Sequence, residues 1–193
     1  GYTIPRPLEE AGLGYYDLTS TESRRRQGEL AKQYGVDGFI IHHYWFYDPA
    51  RPGAVLAKPL DGMLKDTYPD VDFALNWVNV RWVNVWMGKT LHQTVPTNKN
   101  NAITLQEQYY NATDAEIHKH YDWLNQFFKL DKYIKVDGAP VLCVYMLFEE
   151  SYPILTKLRD FAVADGWPGL YLVVGRSAAP VHLHNTTNLS ERL

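Results

Sequence analysis

Histidine, tryptophan, tyrosine and asparagine gather where three apolar runs of this chain end. Gly38-Phe39-Ile40-Ile41 leads into His42-His43-Tyr44-Trp45-Phe46, Asp72-Phe73-Ala74-Leu75 into Asn76-Trp77-Val78-Asn79, and Pro140-Val141-Leu142-Cys143-Val144 into Tyr145. Imidazole gives or takes a proton near neutral pH. An amide pairs with hydroxyls as donor and acceptor, and indole and phenol rings offer an apolar face with a polar edge. Those groups together suit a saccharide, whose CH faces stack and whose hydroxyls need partners. Short continuous apolar runs read as parallel strands buried on both faces. In such sheets the chemistry sits at the C-terminal strand ends. The three runs are therefore expected to point their tips into one hollow.

Side chains alternate along a strand, so His42 and His43 face opposite ways and only one reaches the mouth. Trp45, Trp77, Trp82 and Trp86 are expected as stacking platforms, with Tyr44 and Tyr145 beside them. Asn76 and Asn79 are expected to read hydroxyls, and Arg81 and Arg176 to clasp an acidic sugar or a phosphate bidentately. Cleaving a glycosidic bond takes two carboxylates about 5 to 9 Å apart. Glu149 and Glu150 are the acids that follow a strand end most closely, although the same pair suits a helix N-terminus. His118-Lys119-His120 and His182-Leu183-His184 place imidazoles two residues apart, the wrong spacing for one helical face and far from a zinc signature. No metal and no other cofactor is expected.

The elements that must carry these groups alternate along the chain. Helices are expected over residues 20–33, 58–65, 114–127 and 152–164, and strands over 38–44, 72–77, 140–145 and 170–174. Asp137-Gly138-Ala139-Pro140 reads as a turn. Residues 79–101 form a long excursion of the kind that is usually functional, and 177–193 an irregular tail. Such alternation implies βαβ units around a parallel sheet. No glycine-rich phosphate fingerprint follows a strand, which argues against a dinucleotide site.

Composition narrows the function further. The 193 residues are enough for one domain, spanning 1–193. Their formal net charge of −3 gives no footprint for nucleic acid or an anionic membrane surface. No apolar stretch reaches the length of a membrane span. Arg24-Arg25-Arg26 reads as a solvated helix face, and Tyr34 and Phe161 as core aromatics. Cys143, the one cysteine, reads as an inert core thiol. Sequons at Asn111, Asn185 and Asn188 lean towards glycosylation and a secretory or extracellular route.

Several spaced motifs also carry a resemblance. Gly14-Tyr15-Tyr16-Asp17-Leu18, Tyr34-Gly35-Val36-Asp37-Gly38-Phe39, His43-Tyr44-Trp45-Phe46 and Lys58-Pro59-Leu60-Asp61 come first. Phe73-Ala74-Leu75-Asn76-Trp77-Val78-Asn79, Trp82, Trp86, Gly88, Glu107-Gln108-Tyr109-Tyr110 and Tyr133-Ile134-Lys135-Val136-Asp137-Gly138-Ala139-Pro140-Val141 follow in fixed order. The chain resembles the WbsX family, with its glycoside hydrolase family 99-like domain. That resemblance implies an α/β (β/α)8 barrel of TIM type, here a partial barrel of about four βα units that needs the remainder of its own chain. It also implies action on a glycosidic bond of a polysaccharide or glycoprotein glycan, as hydrolase or glycosyltransferase. Of the two histidines it favours His43; the acid or base read from the residues themselves is Glu149, from its place after the third strand. The family's acidic position after the second strand is taken by Val80, which cannot transfer a proton, so a non-catalytic glycan-binding or structural relative within a larger extracellular assembly is the alternative.

Overall fold

The computed structural model describes residues 12–83 and 103–175. Its helices begin where the sequence supplies caps. Ser20 accepts from the Ser23 amide at the start of α1 (Thr21–Gln33). Thr113 and Glu116 form a reciprocal capping box at α3 (Asp114–Phe128). Proline stands in the first turn of α2 (Lys58–Asp66) and of α4 (Tyr152–Ala164), where no amide is needed.

Four strands run parallel in the order β1 (Gly38–Phe46), β3 (Asp72–Trp77), β7 (Ala139–Val144) and β8 (Tyr171–Val174). The predicted parallel sheet is therefore present. Short antiparallel pieces that periodicity did not reveal decorate it. β2 (Gly53–Val55) folds back on the end of β1, and β6 (Lys135–Val136) pairs with β7. The β6–β7 hairpin turns at Asp137 and Gly138, both left-handed at φ 50° and 81°, as an Asp-Gly hairpin turn requires. β4 (Trp82–Val83) and β5 (Thr104–Gln106) form a separate ladder.

Register fixes which side chains share a face. Ile41, Leu75, Leu142 and Leu172 stand abreast, then His42, Asn76, Cys143 and Val173, then His43, Trp77, Val144 and Val174. Phe39, Ile41, His43 and Trp45 therefore lie on one face of β1, and Ile40, His42 and Tyr44 on the other. The first face packs on the helices. Trp123 and His120 of α3 lie against His43, while Leu75, Trp77, Leu142 and Val144 share a core with Leu124, Phe127 and Leu155. On the second, inner face the outer strands leave apolar groups open: Ile40 is 54% exposed, Tyr171 47% and Val173 40%. Cys143 is buried there, as expected for a core thiol.

Two expectations are corrected. Arg24 is not on a solvated face. It is buried, ion-paired to Asp66 at the end of α2, and donates to the Leu18 carbonyl at 2.8 Å. It fits because Gly62 lies beneath it: a Cβ there would stand 2.5 Å from the guanidinium. Tyr34 is exposed rather than core, since it caps the C-terminus of α1, while Phe161 is half-buried against His118 and Tyr121.

Candidate functional site

The helix-facing side of the sheet holds a closed aromatic cluster. His43 Nε2 lies 3.1 Å from His120 Nε2, and His120 Nδ1 lies 2.9 Å from the Tyr47 hydroxyl. The Trp45 ring stacks on His120 at 4.7 Å, only 4° from parallel. Trp77 meets the same imidazole edge-on at 5.3 Å, and its Nε1 donates to the Trp45 carbonyl at 3.1 Å. Burial pushes His43 down to about 3 and holds His120 well below the usual imidazole range. At neutral pH both rings are uncharged. The short Nε2–Nε2 contact then requires one ring to donate and the other to accept.

This placement corrects the orientation read from the sequence. His43, Trp45 and Trp77 share the odd-numbered face, and α3 covers it. Trp77 is buried in the core, the half-buried Trp45 packs against it with its ring on His120, and His43 is 1% exposed. His42 is the histidine on the inner face.

That inner face gathers a smaller polar-aromatic set at the strand ends. His42 is exposed and meets the half-buried Tyr145 edge-on at 6.1 Å. Asn76 stands beside His42 in register. It is buried, and its Oδ1 has no hydrogen-bond partner. Tyr44 packs edge-on against Trp82 at 4.9 Å, and Trp82 also touches Phe46 at 5.3 Å. Arg81 is exposed next to Trp82.

Asn79 does something other than read hydroxyls. Its Nδ2 donates to the Met146 carbonyl at 2.7 Å, and its Oδ1 accepts from the Met146 amide at 3.2 Å. The Tyr110 hydroxyl donates to the Asn79 carbonyl. Asn79 thus ties the loop after β3 to the loop after β7. Glu149 and Glu150 are exposed in a 3-10 turn (Glu149–Ser151) beyond that tie. Burial, and after it the charge of Glu150, raise the Tyr110 phenol above its usual range.

Asn111 is exposed, as a glycosylation acceptor would need to be. Trp86, Arg176, His182, His184, Asn185 and Asn188 lie outside the described residues, with most of the excursion and the tail. Among the described residues no three His, Cys, Asp or Glu side chains are grouped to hold a metal. No helix among them is long and apolar enough to cross a membrane. Sequence reasoning weighed His120 only as a metal ligand, met Tyr110 only within a motif, and passed over Tyr47. His120 had a signal, because it falls on the apolar stripe of α3 with Ile117, Tyr121 and Leu124.

The family described as Glycosyltransferase WbsX matches residues 5–191. The chain belongs to the WbsX glycosyltransferase family. Two curated relatives, both described as "Uncharacterized protein WxcX" and from two strains of Xanthomonas campestris pv. campestris, are 26% identical over 154 residues. That alignment covers 80% of this WbsX-family chain but only 20% of either relative's length. A solved structure titled "Glycoside hydrolase-like protein" aligns with a TM-score of 0.47 at 16% identity, covering 83% of this chain and 44% of that one.

Proposed function

We propose that this WbsX-family chain is part of a carbohydrate-active protein that makes or breaks a glycosidic bond in a polysaccharide or glycoprotein glycan. The glycan lies across the C-terminal ends of β1, β3 and β7. The family match over nearly the whole chain carries this reading. The inner-face set of His42, Tyr44, Asn76, Trp82 and Tyr145 supports it, since it supplies rings and hydroxyl partners at the sheet edge where parallel α/β folds place their ligands. The open inner face also supports a partial (β/α)8 barrel. Its exposed Ile40, Tyr171 and Val173 are residues for a closed interior, which further βα units of a longer polypeptide would complete.

In this reading Glu149 is the proton donor or acceptor, on a turn beyond the strand end, with Glu150 next to it. A carboxylic acid so placed protonates the leaving oxygen as its bond to the anomeric carbon breaks, while the oxygen of water or of an acceptor sugar forms the new bond to that carbon and gives up its proton to a carboxylate. A second reading, glycan binding without turnover, is favoured by one observation: Val80 stands where the family resemblance expects an acid.

Incubation with mannan-type oligosaccharides, with water or a sugar acceptor, tests both. Product should form, and Glu149→Gln should slow it by a factor on the order of 10² or more. Equal turnover by wild type and Glu149→Gln would remove Glu149 from the mechanism. Binding with no product from either would favour the second reading.

A further inference from the structure

Among the described residues Asn76, Asn79 and Asn125 are all buried. Two of the three are committed to the fold. Asn79 bonds both backbone groups of Met146. Asn125 donates to Asp165 at 2.6 Å and accepts from Trp167 Nε1 at 3.0 Å. Asn76 differs, because its Oδ1 is enclosed and has no partner. A buried amide carbonyl left unpaired lowers stability, and a native fold that keeps one calls for a physical reason.

Its position supplies the reason. Asn76 occupies the middle of the inner face, with His42 abreast on β1 and Cys143 abreast on β7. Tyr145 follows Cys143 by two residues, so it shares that face, and its ring meets His42. The amide carries both a carbonyl and an NH2, and a half-turn exchanges their places. The imidazole and the phenol on the same face likewise both donate and accept. An uncharged group at the centre suits hydroxyls, whereas an anion would call for a guanidinium fork.

We propose that Asn76, His42 and Tyr145 form a hydroxyl-reading floor that holds one uncharged sugar ring of the glycan. Two adjacent hydroxyls of that ring exchange hydrogen bonds with the Asn76 amide. This assignment rests on the carbohydrate reading above and goes beyond it in naming the subsite, its central residue and the neutral character of its ligand. It also separates the floor from Glu149, so binding can be read apart from turnover.

The test uses the full chain and three neutral disaccharides (mannobiose, cellobiose and lactose), with glucuronic acid as the acidic comparison. Calorimetry reads binding. NMR reads the Asn76 side-chain amide and the His42 ring signals. At least one neutral disaccharide should bind and shift both sets of signals, and glucuronic acid should not. Asn76→Leu should hold or raise the melting temperature, because it removes an unpaired buried polar group, yet weaken the disaccharide by about tenfold or more. His42→Gln, on an exposed position that tolerates the change, should weaken it as well. Binding that leaves both sets of signals still, or an Asn76→Leu variant with wild-type affinity, would overturn the floor while leaving the carbohydrate reading intact. Stronger binding of glucuronic acid would overturn the neutral assignment. A wild type that binds none of the four sugars would overturn both readings together.

Discussion

Asn79 shows how a residue that the sequence marks for ligand contact can be committed to the fold instead. Fully buried, it offers both ends of its amide to the backbone of Met146 and its own carbonyl to Tyr110. Asn79→Ala would strand the Met146 amide and carbonyl. Two lost bonds at half-buried groups should cost about 1 to 3 kcal/mol, read as a lower midpoint in urea. Asn79→Asp should also destabilise, since a carboxylate cannot donate to the Met146 carbonyl. A midpoint unchanged in both variants would show that the loops after β3 and β7 are held by something else. The sequence marked Asn79 as important but could not say for what. Whether an asparagine faces a ligand or a backbone two loops away depends on which segments meet, and residue type carries no trace of that. The pair His42 and His43 makes the same point about phase. Alternation guaranteed that they face opposite ways. A strand with apolar residues on both faces has no polar side to set which way is out, and α3 made the choice.

Between elements, the decisive contact is the imidazole pair that joins β1 to α3. Both rings lose their basicity through burial. An unfolded histidine titrates near 6.5, so below that pH the unfolded chain binds protons that the folded chain refuses. Stability is therefore fully present above about pH 6.5 and falls as the pH drops towards 3. For His43 alone the loss by pH 5 is on the order of 2 kcal/mol, at 1.36 kcal/mol per pH unit. Thermal midpoints measured from pH 7.5 to 5 should fall steeply in the wild type. They should fall less in His120→Gln, which keeps a hydrogen-bonding end near His43 and Tyr47 but cannot charge. Parallel curves for the two proteins would show that the pair does not govern acid sensitivity. A second contact between elements lies at the strand starts. Gly38 is needed where β1 approaches β3, because a Cβ there would collide with the Asp72 carbonyl. Gly38→Ala should cost about 1 to 3 kcal/mol by forcing the strands apart, and hydrogen exchange should quicken first at the bonded amides of Phe39 to Ile41. The helices and four main strands were legible because caps, prolines and apolar runs mark them. β2, β4, β5 and β6 were not, since pieces of two or three residues are too short to show a period.

At the scale of the whole molecule the question is what the inner face of the sheet is for. A sheet that faced water there would show polar residues at alternate positions. Instead Ile40, Tyr171 and Val173 stand open on its outer strands, beside the buried Ala74 and Cys143. Such a face suits the interior of the proposed barrel, and the chain covers only 20% of the length of its curated relatives. Produced as an isolated 193-residue polypeptide, it should bind a hydrophobic dye and self-associate at concentrations on the order of 10 μM and above. Replacing Ile40 and Val173 with threonine keeps β-branched shape but wets the face, so light scattering should drop while the far-ultraviolet spectrum holds. The same change at Leu142 and Val144, on the helix-packed face, should unfold the chain, since each loses a fully buried apolar contact. If the barrel reading holds, fusion to the βα units that would complete it should suppress dye binding without any substitution. An isolated chain that stays monomeric and dye-silent would mean that the inner face is content in water, and the partial-barrel reading would have to be given up along with the location of the glycan site at its mouth.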